Sequence, residues 1–327
     1  MNKLKENIFN INSAEKFNDC AIDIFHHQYK SNEIYKNFVD NIKVNPSDVK
    51  IISDIPFLPI EFFKTFKIKS NKKIAEIVFS SSGTTGSVTS KHYVTDLSVY
   101  QDSFRKAFEH FYGDVKNYCI LALLPSYLER EGSSLVFMID DLIKKSENKN
   151  SGFYLYNIGD LVSKIREMEH QKKKVILFGV SFALIDLIEK HTINAPNIII
   201  METGGMKGRK KEIIRAELHK KLCNGFGVQS IHSEYGMTEL LSQAYSSGSG
   251  IYKTPPWMKI IIRDINDPFS IIGENKTGGI NIIDLANYNS CSFVASQDLG
   301  KLFNDNSFEV LGRFDTSDIR GCNLMIG

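Results

Sequence analysis

The stretch Ile77-Val78-Phe79-Ser80-Ser81-Ser82-Gly83-Thr84-Thr85-Gly86 leads from an apolar, strand-like run into a turn dense in hydroxyl groups and glycine. Glycine lets backbone amides approach an anion without interference from a Cβ, and hydroxyl groups bind phosphate oxygens. The stretch therefore predicts a strand over residues 74–79 that delivers a phosphate-binding loop over residues 81–86. An ordinary solvent-exposed turn is the alternative, because the same residue types are common in turns.

This loop differs from that of P-loop kinases and GTPases. Their motif places a lysine directly after its second glycine. Here Ser87 follows Gly86, and the nearest lysine is Lys91. A P-loop enzyme is therefore disfavoured.

Strand-like and helix-like segments alternate downstream of the loop. Strands are predicted at residues 118–124, 174–178, 198–201, 230–232 and 258–262, and helices at 97–111, 181–190 and 209–222. Such alternation is typical of an α/β layered fold with parallel strands. Residues 278–285 and 308–311 indicate a β-rich C-terminal part, and residues 12–42 indicate amphipathic helices with Ser13 as a possible N-cap.

Overall composition excludes several classes of protein. The 327-residue chain has a net charge of +2, too weak to indicate a nucleic-acid partner. It contains neither a signal peptide nor about 18 consecutive apolar residues, so no membrane insertion is expected. Its five cysteines are widely spaced without a C-x-x-C pair, which indicates reduced thiols in the cytoplasm and disfavours zinc.

Two downstream clusters accompany the loop, and the set resembles a known superfamily. They are Glu234-Tyr235-Gly236-Met237-Thr238-Glu239, and Ser296-Gln297-Asp298 followed by Gly312-Arg313-Phe314-Asp315. Loop, Y-G-x-T-E motif, aspartate and G-R-x-D motif occur in the order found in adenylate-forming enzymes, which include acyl-CoA synthetases, luciferases and peptide-synthetase adenylation domains.

Within that superfamily the chain is similar to the acyl-protein synthetases of the LuxE family over roughly residues 50 to 325. Besides the Tyr235 motif, this similarity rests on five segments: Ile55-Pro56-Phe57-Leu58-Pro59, Lys91-His92-Tyr93-Val94, Leu124-Pro125-Ser126-Tyr127-Leu128-Glu129-Arg130, Glu202-Thr203-Gly204-Gly205 and Arg320-Gly321-Cys322.

The resemblance implies the layered large-domain fold of adenylate-forming enzymes. We expect an N-terminal helical segment (1–50), an adenylate-forming core (51–311) and a hinge-like motif with a tail (312–327). Because the sequence stops at Gly327, the mobile C-terminal lid of the superfamily is expected to be absent. Either Lys91, Lys207, Arg209, Arg313 or Arg320 would then replace the lid lysine, or a partner would supply the charge, or the adenylation step would be slow.

The resemblance also implies ATP and Mg²⁺ as cofactors and assigns the binding residues. Glu239 would ligate Mg²⁺ and Thr238 would contact phosphate, together with Ser81, Ser82, Gly83, Thr84, Thr85 and Gly86 of the loop. Tyr235 would lay its ring against adenine, with Gly236 next to it among the cofactor-binding residues. Gly204 and Gly205 would let the backbone approach the other face and edge of the purine. Asp298 would bind the ribose hydroxyls, with Arg313 nearby. The alternatives left open are a helix-capping carboxylate for Glu239, a core residue for Tyr235 and a turn residue for Asp298.

Three further residues are candidates for the acyl-transfer chemistry. His232, predicted at the end of a strand, would face the acyl pocket or thioester chemistry, although a lone histidine is more often structural; His92 is weighed in the same way. Cys322 would accept the acyl group from the adenylate, since a thiolate is the competent nucleophile and Arg320 and Arg313 would lower its pKa. A buried, inert cysteine is the alternative.

These assignments predict an ATP-dependent enzyme that converts a carboxylic acid, expected to be fatty, into an acyl-adenylate and passes the acyl group to a protein thiol. The thiol would be its own or that of an acyl-carrier, reductase or transferase partner. A phenylacetate-type acyl-CoA ligase and a non-catalytic nucleotide-binding subunit remain as alternatives.

Overall fold

The structure is a computed structural model that describes residues 2–81, 88–125, 132–204 and 214–314. The chain divides into two compact units: one contains residues 1–72 together with 256–327, and the other contains residues 73–255. These limits differ from the boundaries expected after residues 50 and 311.

The first unit begins with helices. They are α1 (Asn2–Phe9), α2 (Ala14–Ser31), α3 (Glu33–Asn41) and α4 (Phe62–Thr65), with 3-10 turns at Pro46–Asp48 and Ile52–Asp54 and a short strand, β1 (Leu58–Pro59). Ser13 caps α2 by accepting a hydrogen bond from the Lys16 amide at 3.2 Å, as predicted. The helical character predicted for the N-terminal region is confirmed.

The second unit alternates strands and helices as predicted. Its elements are β2 (Ile77–Ser80), β3 (Lys91–Val94), α5 (Leu97–Tyr112), β4 (Cys119–Leu123), α6 (Ser134–Lys145), β5 (Gly152–Phe153), α7 (Ile158–His170), β6 (Val175–Val180), α8 (Ser181–Lys190), β7 (Ile199–Thr203), α9 (Arg215–Phe226), β8 (His232–Tyr235), β9 (Ala244–Ser246) and β10 (Ile251–Tyr252), with a 3-10 turn at Val115–Asn117.

One six-stranded sheet organises this unit, in the order β5-β4-β6-β7-β8-β9. The pairs from β5 to β8 are parallel and β9 is antiparallel to β8. Strands β4 and β6 are almost wholly buried, since helices cover a parallel sheet on its faces. Outside this sheet, β2 and β3 form an antiparallel hairpin.

The first unit resumes with β11 (Met258–Arg263), β12 (Thr277–Asp284), a 3-10 turn at Leu285–Asn287, β13 (Phe293–Leu302) and β14 (Phe308–Arg313). These strands pair antiparallel in chain order, and β1 joins β13 in parallel. The expectation that residues 258–262 belong to the parallel series is therefore wrong. Apolar periodicity identifies a buried strand but cannot tell which neighbour it will pair with.

A buried polar network fixes the loop between β12 and β13. The Gln28 side chain, fully buried on α2, donates to the carbonyls of Asn287, Tyr288 and Ser290 at 3.1–3.3 Å and accepts from the Ser292 amide at 3.0 Å. The Asn32 amide and the Ser70 hydroxyl also donate to the Ser290 carbonyl. We call Gln28, Asn32, Ser70 and residues 287–292 the helix–loop network.

Candidate active site

The predicted adenine segments meet at the carboxyl edge of the parallel sheet. Thr203 pairs in register with Glu234, so Gly204 and Tyr235, which follow these two residues, occupy neighbouring positions. Gly204 adopts a φ of 69°, a left-handed conformation that favours glycine. Ligands of open α/β sheets bind at this edge. Gly205, the other predicted adenine glycine, lies outside the described residues.

Glu234 lies beneath this edge. Its carboxyl accepts a hydrogen bond from the Thr203 hydroxyl at 2.5 Å, and burial raises its pKa to about 7. A Cβ added to Gly236 would stand 2.3 Å from the Glu234 Oε1, so a side chain at this position would displace that oxygen. Glu234 therefore contacts both segments that the sequence assigns to adenine, and the sequence did not single it out.

A second buried carboxyl lies on the opposite face of β7. The Ser181 hydroxyl donates to Glu202 Oε1 at 2.5 Å and also contacts the Gly204 carbonyl at 3.1 Å. Arg215 Nη1 lies 3.6 Å from Glu202 Oε2 and donates to the Tyr252 hydroxyl. Side chains alternate between the faces of a strand, so β7 presents Glu202 to one face and Thr203 to the other. We call Ser181, Glu202, Thr203, Arg215 and Glu234 the sheet-edge cluster.

The Tyr235 ring is itself buried. It is 8% exposed, and its centroid lies 5.9 Å from that of Tyr252 at a tilted angle. The adenine contact assigned to this ring stays a prediction.

The hairpin of β2 and β3 closes the base of the hydroxyl-rich loop. The Ser81 amide donates to the Ser90 carbonyl at 3.1 Å, and the Ser90 amide donates to the Ser81 hydroxyl at 3.0 Å. Ser82, Gly83, Thr84, Thr85 and Gly86 lie outside the described residues. The strand begins at Ile77, three residues later than predicted, and Ile74 is 90% exposed.

His92 links this hairpin to the Y-G-M-T-E motif. The buried His92 ring donates from Nδ1 to the Thr238 carbonyl at 2.8 Å. Because His92 pairs with Phe79 on β2, the contact joins the two strands that flank the loop to the residue beside Glu239. From the sequence alone, His92 is a lone histidine whose role stays open. The structure shows that it contacts the Y-G-M-T-E motif.

Glu239 has the chemistry required of a magnesium ligand. Its carboxylate is a hard oxygen donor, 6% exposed, beside the segment that His92 holds. Mg²⁺ in nucleotide enzymes takes one or two carboxylates and completes its shell with phosphate and water. Within the described ranges no group of three or more His, Cys, Asp or Glu side chains that could hold a metal ion is found.

His232 does not join these residues. It begins β8 instead of ending a strand at residue 232, so the predicted position at a strand end is wrong. Its Nδ1 lies 3.1 Å from the Tyr112 hydroxyl, and burial lowers its pKa. Since a strand rises about 3.3 Å per residue, His232 lies about 10 Å from Tyr235 along β8.

In the first unit the structure brings Asp298 and Arg313 together. They are cross-strand partners of β13 and β14, and Arg313 Nε donates to Asp298 Oδ1 at 3.2 Å. Asp298 is 6% exposed and lies inside a strand, so the alternative of a turn aspartate is wrong.

Cys322, like Lys207, Arg209, Asp315 and Arg320, lies outside the described residues. The described cysteines are poor nucleophiles. Burial raises the pKa of Cys20 and Cys119 to about 11 and that of Cys291 to about 12, and also raises that of Cys223.

Comparison with known proteins identifies the fold. The chain has the large-domain fold of adenylate-forming acyl-CoA ligases and luciferase-like enzymes. Residues 8–123 match the family model of "Acyl-protein synthetase, LuxE", which confirms the resemblance found in the motifs. A search among curated proteins gives no match.

Three solved structures illustrate the fold. ATP-bound MatB from Rhodopseudomonas palustris matches with a TM-score of 0.55 and 14% identity over 72% of this chain and 47% of its own. An open 2-hydroxyisobutyryl-CoA ligase, in complex with 2-HIB-AMP and CoA, has a TM-score of 0.62 and 12% identity. This match covers 97% of this chain and 82% of the ligase. O-succinylbenzoate coenzyme A synthetase (MenE) of Bacillus subtilis, in complex with AMP, has a TM-score of 0.52 and 19% identity. This match covers 76% of this chain and 50% of MenE. The chain thus spans about half the length of MatB.

Proposed function

We propose that this chain is an ATP-dependent ligase that activates a carboxylic acid, of the fatty class, as an acyl-adenylate and transfers the acyl group to a protein thiol. One observation carries the proposal. The hydrogen bond from His92 to the Thr238 carbonyl joins the hairpin that flanks the hydroxyl-rich loop to the segment that ends in Glu239. Adenylation needs phosphate donors and a magnesium-binding carboxylate, and this contact supports the assignment of those roles to the loop and to Glu239.

The first step joins two anions. A carboxylate oxygen of the acid attacks the α-phosphorus of ATP, and the bond to the β-phosphate oxygen breaks so that pyrophosphate leaves. Donors of the loop at residues 81–86 and Thr238 would hold the phosphates. Glu239 would hold Mg²⁺, which when bound neutralises developing charge on the leaving group.

The second step transfers the acyl group. A thiolate attacks the acyl carbon, the bond to the AMP oxygen breaks, and AMP leaves with the electron pair. The raised pKa of Cys20, Cys119, Cys223 and Cys291 disfavours each of them as the thiolate. We therefore propose Cys322, or the thiol of an acyl-carrier, reductase or transferase partner, as the acceptor in a cytoplasmic setting.

Pyrophosphate exchange into ATP tests the first step. Purified protein is incubated with ATP, Mg²⁺, labelled pyrophosphate and one acid from a panel of fatty, aromatic and amino acids. Exchange that depends on a fatty acid is expected. Exchange with an aromatic acid and formation of its CoA thioester would instead favour the phenylacetate-type ligase. ATP binding without exchange for any acid would favour a non-catalytic subunit.

Covalent labelling tests the second step. With ATP, Mg²⁺ and an exchanging acid, we expect a hydroxylamine-sensitive adduct on Cys322 in a peptide map. Cys322→Ser should abolish the adduct and keep exchange, whereas the matched Cys223→Ser should keep both. An undiminished thioester in Cys322→Ser would refute acceptance by this residue.

A further inference from the structure

The ladder between β12 and β13 is interrupted beside Asp298. Gly279 pairs with Leu299, but the next pair is Asn281 with Ala295. A single residue, Ile280, therefore faces the three residues 296–298 of β13. Such a bulge removes ladder partners from backbone groups and redirects side chains, and bulges occur frequently beside active sites.

The Arg263 side chain occupies this interruption. Its Nη1 donates to the Ile280 carbonyl and to Asn281 Oδ1, both at 2.8 Å, and its Nη2 donates to the Ser296 carbonyl at 2.6 Å. Arg263 is 8% exposed. The guanidinium, with its five N–H donors in a fixed plane, thus supplies donors to a carbonyl on each side of the bulge.

Ser296 relays this contact to Asp298. The Ser296 hydroxyl donates to the Ile280 carbonyl at 3.0 Å and accepts from the Asp298 amide at 3.1 Å. The backbone of Asp298 is therefore fixed two residues from the carbonyl that Arg263 holds.

The residues around Arg263 leave space for its backbone and guanidinium. A Cβ at Gly279 would stand 2.5 Å from Arg263 Cζ, and one at Gly278 would stand 2.2 Å from the Arg263 carbonyl oxygen. The Phe314 ring centroid lies 5.5 Å from Arg263 Cζ, within cation–π distance. Gly279 leaves space for the guanidinium, Gly278 leaves space for the Arg263 backbone, and the Phe314 ring lies beside the guanidinium.

We propose that Arg263 is the positioning residue for the ribose site: it holds the bulge at residues 296–298 so that the Asp298 carboxylate points at the ribose hydroxyls. This rests on the proposed function together with the ribose-binding role that the family resemblance implies for Asp298. Arg263 acts through the Ile280 and Ser296 carbonyls and does not itself touch the nucleotide.

The test compares ATP with 2′,3′-dideoxy-ATP, which lacks both ribose hydroxyls, by calorimetric titration. Arg263→Met should weaken ATP binding at least about tenfold, the scale of one lost charge-assisted hydrogen bond, and leave dideoxy-ATP affinity nearly unchanged. In the double variant Arg263→Met/Asp298→Ala, ATP should bind no more weakly than in Asp298→Ala alone. Equal weakening of both nucleotides, or none, would overturn the proposal.

Two variants keep the test decisive if Arg263→Met does not fold. Arg263→Lys keeps the charge but not the fork of donors, and Gly279→Ala displaces the guanidinium without altering it; both should lose the preference for ATP. Gly273→Ala is the matched control, because nothing lies within 4 Å of its added Cβ. An intact preference in either variant overturns the proposal, as does failure of all three to fold.

The same titration separates this proposal from the proposed function. If the wild-type protein binds neither nucleotide, the proposed function is wrong. If the wild-type protein prefers ATP over dideoxy-ATP and the variants keep that preference, only the role of Arg263 is wrong.

Discussion

The helix–loop network and the sheet-edge cluster are both buried and polar, yet they differ in charge. The first uses neutral amides and hydroxyls that donate to backbone carbonyls. The second holds two carboxyls and a guanidinium, and burial raises the pKa of Glu234 to about 7. A neutral network fixes a loop at little electrostatic cost, whereas buried ionisable groups are costly and are concentrated at functional sites. We therefore expect substitutions in the helix–loop network to change mainly the free energy of unfolding. Substitutions around the sheet-edge cluster should change the reaction, measured as pyrophosphate exchange.

The largest effect is expected for Glu239→Ala, in the Y-G-M-T-E motif that begins next to Glu234 of the sheet-edge cluster. Loss of a magnesium ligand should lower pyrophosphate exchange about a thousandfold, or about 4 kcal/mol, with unfolding unchanged. The control is Glu109→Ala, which removes an exposed carboxylate of α5 in the same unit and should exchange normally. Normal exchange by Glu239→Ala at saturating ATP and Mg²⁺ would remove the metal assignment.

The opposite outcome is expected for Gln28→Ala in the helix–loop network. Truncation leaves three buried carbonyls and the Ser292 amide without Gln28, so the free energy of unfolding should fall by about 4 kcal/mol. Urea denaturation measures this loss, and exchange per folded molecule should be unchanged. Gln171→Ala, on an exposed helix end, is the matched control and should lose less than about 0.5 kcal/mol. Equal losses of unfolding free energy in Gln28→Ala and Gln171→Ala would show that the helix–loop network does not stabilise the fold more than an exposed side chain does.

Glu234→Gln tests whether ionisation of Glu234, in the sheet-edge cluster, destabilises the folded protein. The folded protein raises the pKa of Glu234 from 4.5 to about 7, so it binds the proton more tightly than the unfolded chain does. The wild-type stability due to this group is full below pH 4.5, falls as the pH rises to 7, and stays reduced above it. Glutamine does not titrate. The stability of the variant relative to wild type should therefore rise by about 3 kcal/mol between pH 4 and pH 8.

Stability measured by urea unfolding at several pH values decides this prediction. The groups around Glu234 are Thr203, Glu202 and the buried tyrosines Tyr100, Tyr245 and Tyr252. Burial and the Glu234 charge raise the pKa values of these tyrosines. None of these tyrosines titrates in the range tested. Glu109→Gln should give a difference independent of pH. A pH-independent difference for Glu234→Gln as well would mean that Glu234 is not desolvated in solution.

Elements with strong local signals could be predicted from the sequence. The helix at 181–190 has the predicted bounds, because apolar residues recur along it at helical spacing. The α/β class and the order of the motifs were equally accessible. Strand β13 was not, because Ser296, Gln297 and Asp298 interrupt its apolar pattern where the bulge lies. Partners distant in sequence were also inaccessible: the contact of Arg263 with the Ser296 carbonyl and that of His92 with the Thr238 carbonyl arise only from tertiary packing.

Asp298→Ala sharpens the comparison within the first unit, where the helix–loop network also lies. Both sites are buried and polar, but Asp298 is charged, and its partner Arg313 is 76% exposed. A surface-facing ion pair contributes little to stability, about 0–1 kcal/mol. A carboxylate that accepts from two ribose hydroxyls contributes more to binding. We expect ATP binding to weaken by about 2 kcal/mol in a titration, with unfolding almost unchanged. Asp305→Ala, in the turn before β14, is the control and should bind ATP normally. Unchanged ATP affinity in Asp298→Ala together with a clear loss of stability would class Asp298 with Gln28, as a residue that holds the fold and not the nucleotide.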